Sequence, residues 1–209
     1  MTDGWSQPID FVTSEVLAEA ATRFGQPARL QVRALIGRDE MQGLVASQKG
    51  GRAHDVTFFI HAPGAAAWCP ATPIALIRKP SFPPLAFRAP SGGLRPGESL
   101  AAGAAREAWE ETGLTVDLER YFLCIDATFA LADGSLPDVR WQSHLVTAAA
   151  RTSDIEPQDR HEIAEARWGT LAELTGPIRP ALLAPGRGLL RYRVWLHDRA
   201  AEALGVGST

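Results

Sequence analysis

Apolar positions recur at three- and four-residue steps over residues 11–24, where Val12, Val16, Leu17, Ala20 and Phe24 share one side. That spacing predicts an amphipathic helix, and Gly25 is placed to stop it. The period then falls to two. Over residues 29–36, Leu30, Val32 and Ala34 alternate with polar neighbours, which predicts a strand. Residues 41–47 are expected to return beside it, making a hairpin across Gly37-Arg38-Asp39. Lys49-Gly50-Gly51-Arg52 has the composition of a linker. Residues 1–50 therefore read as an N-terminal helix-plus-hairpin extension, and residues 51–209 as the main domain.

Beyond the linker, strands are expected at 55–61, 74–79 and 85–89, with Pro80, Pro83 and Pro84 breaking the chain between the last two. A helix follows over 99–112. Two long strands, 116–131 and 139–149, flank Asp133-Gly134, a hairpin turn signal. A polar loop at 152–160 leads into a short strand at 163–168. A last helix lies within 180–204, its start delayed by Pro185, Gly186 and Gly188. Strands joined by hairpin-length loops, mixed with helices, predict an α/β class: an α/β/α sandwich around a mixed sheet.

Composition narrows the function classes. The chain has 209 residues, 45% hydrophobic and 22% charged, within the range of globular domains. A formal net charge of -3 argues against a nucleic-acid polymer as partner, which needs clustered excess Lys and Arg. No apolar run approaches the ~18 residues of a membrane span. The first ten residues have neither a basic nor an apolar signal-peptide region, so a cytoplasmic location is expected. Cys69 and Cys124 are far apart, form no CxxC pair, and are expected to be buried reduced thiols.

The chemistry concentrates between Ser91 and Leu114. Ser99 is positioned as an N-cap and Gly113 as a left-handed C-cap. Leu100, Ala104 and Ala108, four residues apart, would pack the helix on the sheet. At about 100° per residue, Glu107, Glu110 and Glu111 then fall within an arc of roughly 100° on the other side. Like charges so close repel. Arg106 offsets one of them, and a hard divalent cation, Mg²⁺ in the first place, would relieve the rest. Gly92, Gly93 and Gly97 let main-chain groups approach a ligand closely, and Arg95 is placed to face phosphate.

The same segment resembles the box of the Nudix hydrolases, G-x5-E-x7-R-E-U-x-E-E-x-G-U with U apolar. Gly92, Glu98, Arg106, Glu107, Ala108, Glu110, Glu111, Gly113 and Leu114 fill its fixed positions in order, Ala108 being smaller than the usual aliphatic. The resemblance implies a pyrophosphohydrolase that uses Mg²⁺ or Mn²⁺ to cleave a nucleoside diphosphate linked to another moiety. It implies Glu107, Glu110 and Glu111 as metal ligands, joined by the main-chain carbonyl of Ser91. It also implies that Arg106 orients the carboxylates and that Glu98 ties down the loop or helix. The general base in such enzymes is either a box glutamate, here Glu110, or a carboxylate from a loop nearer the C-terminus. Glu162, in Asp159-Arg160-His161-Glu162, is the first choice here, and His161 is an alternative phosphate contact.

Substrate is less legible. Phe82, Phe129 and Trp141 are the candidate base-stacking aromatics, with Phe129 and Trp141 carried forward as substrate contacts. The N-terminal segment is similar to the dimerising extension of ADP-ribose pyrophosphatases, which implies a homodimer. The proline usual about 16 residues beyond the box is replaced by Ala130. Three functions stay open: cleavage of a nucleotide sugar or ADP-ribose-like diphosphate, housecleaning of nucleoside triphosphates or dinucleoside polyphosphates, and ligand sensing without catalysis. The intact set of glutamates speaks against the last.

Overall fold

The computed structural model describes residues 11–65 and 67–206. The opening residues, in which no signal peptide was expected, lie outside that range. Two aligned-strand pairs set the architecture. β2 (His54–His61) runs parallel to β6 (Val139–Ala150), and β1 (Ala28–Leu35) runs parallel to β5 (Val116–Ala130). β5 and β6 form the long antiparallel hairpin expected from the sequence. With β3 (Pro73–Arg78) and β7 (Glu165–Thr170), the order across the sheet is β1-β5-β6-β2-β3-β7, and the two-residue β4 (Ser91–Gly92) pairs with β2. Every residue of β2 is buried, as a central strand covered on both faces should be.

Helices cover both faces. α1 (Ser14–Phe24) and α3 (Leu100–Thr112) share one core with Val56, Phe58, Ile60 and Val146. The opposite core is built from Phe59, Leu76, Phe122 and Leu145. It is closed by α2 (Arg38–Lys49), α4 (Leu171–Thr175), α5 (Ile178–Leu183) and α6 (Gly188–Ala203). Among the described residues no helix is long and apolar enough to cross a membrane.

The N-terminal hairpin is not formed. Residues 38–49 are α2, and β1 pairs with β5 in parallel, from Ala28↔Leu123 to Leu35↔Ala130. Local chemistry explains the change. The Glu40 carboxylate accepts the Gly37 amide at 2.8 Å, capping the helix start, and it also accepts the Gly188 and Leu189 amides of α6 at 2.9 and 3.0 Å. Met41 and Leu44, three apart, then fall on one helical face and enter the main core. Two smaller differences follow the pairing pattern. Residues 85–89 make only the bridge Ile77↔Arg88, and β7 lies two residues later than expected because it is held in register on β3, Arg78↔Glu165 to Pro73↔Thr170. Cys124 is buried as expected. Cys69 is exposed, on the connection leading into β3.

Candidate active site

The box helix α3 forms as its sequence requires. The Ser99 hydroxyl accepts the Ala102 amide at 3.2 Å, and Gly113 closes the helix at φ 73°. Leu100, Ala104 and Ala108 are buried against the sheet. The three glutamates differ in environment, from Glu111 at 4% exposure to Glu107 and Glu110, whose side chains are 17% and 36% exposed.

Glu107 lies against the glycine turn. A methyl group on Gly92 would stand 1.8 Å from the Glu107 carboxyl carbon, so only glycine allows this approach. The carboxylate accepts the Gly93 amide at 3.2 Å. The turn itself is held from the other side. The Leu94 amide donates to His54 Nε2 at 3.0 Å, and the Arg52 side chain, which donates to the His54 carbonyl at 3.1 Å, lies where a Gly93 methyl would project.

Arginines, not distance, relieve the expected repulsion. Arg106 donates to both oxygens of Glu98 at 2.8 Å, to Glu107 at 2.9 Å, to Glu110 at 3.0 Å and to the Gly93 carbonyl at 2.8 Å. Arg95 donates to the other oxygen of Glu110 at 3.1 Å. The Arg106 hydrogen bonds, with the Arg95 amide, hold the Glu98 carboxyl down at about 2. These contacts join Arg106, Glu98 and the glycine turn in one network.

Glu111 is different. Its carboxylate accepts the Ser91 amide at 2.8 Å and an Arg88 N–H at 3.3 Å, and Arg88 also donates to Ser91 Oγ at 2.7 Å and the Ala89 carbonyl at 2.9 Å. Burial pushes the Glu111 carboxyl up, and Arg88 and then Lys79 pull it back. Arg88 escaped the sequence argument because it sits in an apolar run, Leu85-Ala86-Phe87-Arg88-Ala89. A lone Arg in such a run was the available signal, since a buried guanidinium requires a partner.

The loop carrying Glu162 is docked on α3. The Glu156 amide donates to the Thr112 carbonyl at 2.9 Å, and the Gln158 and Asp159 amides both donate to the Glu110 carbonyl, at 3.0 and 2.9 Å. These are terminal carbonyls of the helix, which need partners from outside it. Gly113 makes room, for a methyl there would stand 2.2 Å from the Glu156 carbonyl oxygen. Asp159 accepts the His161 and Glu162 amides at 3.0 and 3.1 Å, and Lys79 donates to Glu162 at 2.7 Å. Glu162 is thus tied through Asp159 to the C-terminal turn of α3 and paired with Lys79, while His161 is an exposed loop residue.

The two aromatic candidates lie elsewhere. Phe129, 1% exposed, packs edge-on to Tyr192 in the core across the sheet from α3. Trp141 is in the same core at 9% exposure and donates its indole N–H to Asp55 at 3.1 Å. Strand alternation turns both away from the box helix. The burial of Phe129 corrects the expectation that it stacks on a base, whereas Trp141 lines a cavity with Asp126 and Arg140 on the far side of the sheet.

The donor set suits a hard divalent cation. Glu107 lies against a glycine turn that a methyl would block, and Glu107, Glu110 and Glu111 offer only oxygen donors, the kind such an ion takes. Among the described residues no three acidic side chains are grouped as a ready-made ion site. The guanidinium groups of Arg106 and Arg95 supply the compensating charge at Glu107 and Glu110.

The family model described as NUDIX domain matches residues 61–190, well over half of the chain. The chain belongs to the Nudix family. It is similar to a NUDIX hydrolase from Nitrosomonas europaea, at 21% identity and TM-score 0.38 over 56% of each chain. It is similar to a UDP-X diphosphatase, at 19% identity and TM-score 0.38 over 65% of this chain and 61% of that one. It also resembles the NUDIX domain of Shewanella oneidensis NrtR complexed with ADP ribose, at 15% identity and TM-score 0.46, over 72% of this chain and 87% of that one. The chain thus spans about six tenths of the first two structures, 56% and 61% of their lengths. No curated protein matches.

Proposed function

We propose that the protein is a metal-dependent pyrophosphohydrolase that cleaves the diphosphate linkage of a nucleoside diphosphate derivative by attack of water on phosphorus. The observation that carries this is the fit of the Glu107 carboxylate into the space left by Gly92, on the helix that also carries Glu110 and the buried Glu111. Glu107, Glu110, Glu111 and the Ser91 main-chain carbonyl would hold Mg²⁺, or Mn²⁺ in its place. The bound ion would supply Lewis acidity and lower the pKa of water.

The side chains of this chain do the rest. Arg106 and Glu98 fix the turn and the carboxylates as one unit, so that their geometry is set before substrate arrives. Arg95, 63% exposed at its side chain, is free to exchange Glu110 for a phosphate oxygen. Glu162 accepts the proton of the attacking water. To do so its exposed carboxylate must come within about 3 Å of that proton, directly or through one water, and the loop that carries it is docked on α3. A nucleoside diphosphate derivative, ADP-ribose or a nucleotide sugar, is the substrate class. The homodimer belongs to the same proposal, with β1 closing one end of the sheet.

A substrate panel with Mg²⁺ tests this: ADP-ribose, nucleotide sugars, nucleoside triphosphates and dinucleoside polyphosphates. Diphosphate-sugar cleavage releases phosphate only after phosphatase treatment, whereas triphosphate cleavage to pyrophosphate is detected after pyrophosphatase alone. Glu107→Gln should lower turnover by orders of magnitude with the fold intact, and Glu111→Gln should lower turnover similarly while also reducing stability, because it removes the counter-charge of the buried Arg88. If both run at near wild-type rates at saturating Mg²⁺, the metal assignment is wrong.

A further inference from the structure

Glu162 is 63% exposed at its side chain, and a carboxylate so open has many rotamers. Something must choose among them. Lys79 immediately follows β3, at Pro73–Arg78, and Pro80 immediately follows Lys79. The Ala164 amide donates to the Arg78 carbonyl at 2.9 Å, and Arg78 is in register with Glu165 on β7. Sheet pairing therefore sets Lys79 opposite Ala164, two residues from Glu162. The Lys79 ammonium, itself 30% exposed, closes on Glu162 Oε2 at 2.7 Å. Lys79 is also one of the cations felt by Glu111, and Glu162 is one of the anions felt by Arg88. The Lys79–Glu162 pair is thus close enough to the buried Arg88–Glu111 pair to interact with it electrostatically.

We propose that Lys79 is a positioning residue that selects the rotamer of Glu162 facing the box carboxylates. This rests on the assignment of Glu162 as base in the proposed hydrolase. An exposed ion pair contributes little to stability, so a purely structural role predicts almost no effect of its removal on either folding or rate. A positioning role predicts a change in kcat with melting temperature unmoved. A direct phosphate contact by Lys79 predicts instead a rise in KM that persists when Glu162 is gone.

The test is a double-mutant cycle of Lys79→Gln and Glu162→Gln, with Lys79→Arg as the conservative variant, on the best-cleaved compound of the panel. Glu162→Gln should lower kcat by roughly 10²–10⁴-fold. Lys79→Gln should lower kcat by about tenfold or more with KM and melting temperature little changed, and Lys79→Arg should restore most of the loss. The double variant should be no slower than Glu162→Gln alone. Crystal structures of wild type and Lys79→Gln give a readout independent of turnover, with Glu162 expected to leave the box side in the variant. The proposal is overturned if Lys79→Gln keeps the wild-type kcat while Glu162→Gln is slow, if the two losses multiply, or if Glu162 holds its place without Lys79. If Glu162→Gln itself runs at the wild-type rate, the base assignment fails, and the positioning role fails with it.

Discussion

Replacing Gly92 by alanine probes the site with a single methyl group. Gly92 does not have a positive φ, so alanine fits the backbone and the whole perturbation falls on Glu107. The added carbon would stand 1.8 Å from the Glu107 carboxyl carbon. Ordinary contact begins near 3.4 Å, so the carboxylate must retreat by about 1.6 Å. The retreat breaks the 3.2 Å bond from the Gly93 amide and the 2.9 Å bond from Arg106. At about 1 kcal/mol net for each, with water able to replace part of it, stability should fall by about 1–3 kcal/mol. Catalysis should suffer far more, because a misplacement of about 1 Å in a positioned group can lower the rate by about 10²-fold. Turnover with Mg²⁺, metal affinity by calorimetry and melting temperature should be measured together. A second variant, Gly92→Ala with Glu107→Ala, removes the clash and should recover the melting temperature while staying inactive. A Gly92→Ala protein with kcat and metal affinity within a few-fold of wild type would refute the role given to this contact.

Two further outcomes follow from other parts of the structure. The Glu98 carboxyl is held at about 2, below its ordinary 4.5, so its contribution to stability is present above the ordinary value and is lost as pH falls from about 4.5 through 2. Glu98→Gln should therefore lower the melting temperature at pH 7, by the equivalent of about 1–3 kcal/mol, and the gap to wild type should close near pH 2 in calorimetric scans. A chain beginning at Gly51 would lack β1 and the fully buried Met41 of α2. It should aggregate or unfold without a cooperative transition, and a monomeric fragment with a sharp melting transition would contradict this.

Much of the fold was legible because its signals are local. Ser99, the Leu100-Ala104-Ala108 stripe and Gly113 specify α3 within one segment, and Asp133-Gly134 marks the hairpin. α2 was misread because Gly37-Arg38-Asp39 has turn chemistry, while the evidence for a helix lies partly in Glu40 reaching the amides of α6, far along the chain. The candidate site divides in the same way. The box residues share one helix and one turn, so their spacing alone exposes them. Arg88 and Lys79 join the site through sheet pairing and burial, which no spacing encodes. Phe129 and Trp141 were plausible as aromatics in long strands, but the sheet face they occupy is decided by pairing register, and a strand's two faces look alike until the partner is known.

The docking of the Glu162 loop on α3 also bears on how the protein acquires its shape. Gly113 and Glu156 touch although they are on the order of forty residues apart, and the entire β5–β6 hairpin intervenes. Closing so long a segment is entropically expensive until the hairpin has zipped and brought its ends together. The parallel pairings β1/β5 and β2/β6 join still more distant stretches. The candidate site is therefore expected to assemble late in folding. A peptide spanning only residues 91–114 carries every box residue, yet it lacks the strand, the loop and the cations that give those residues their geometry.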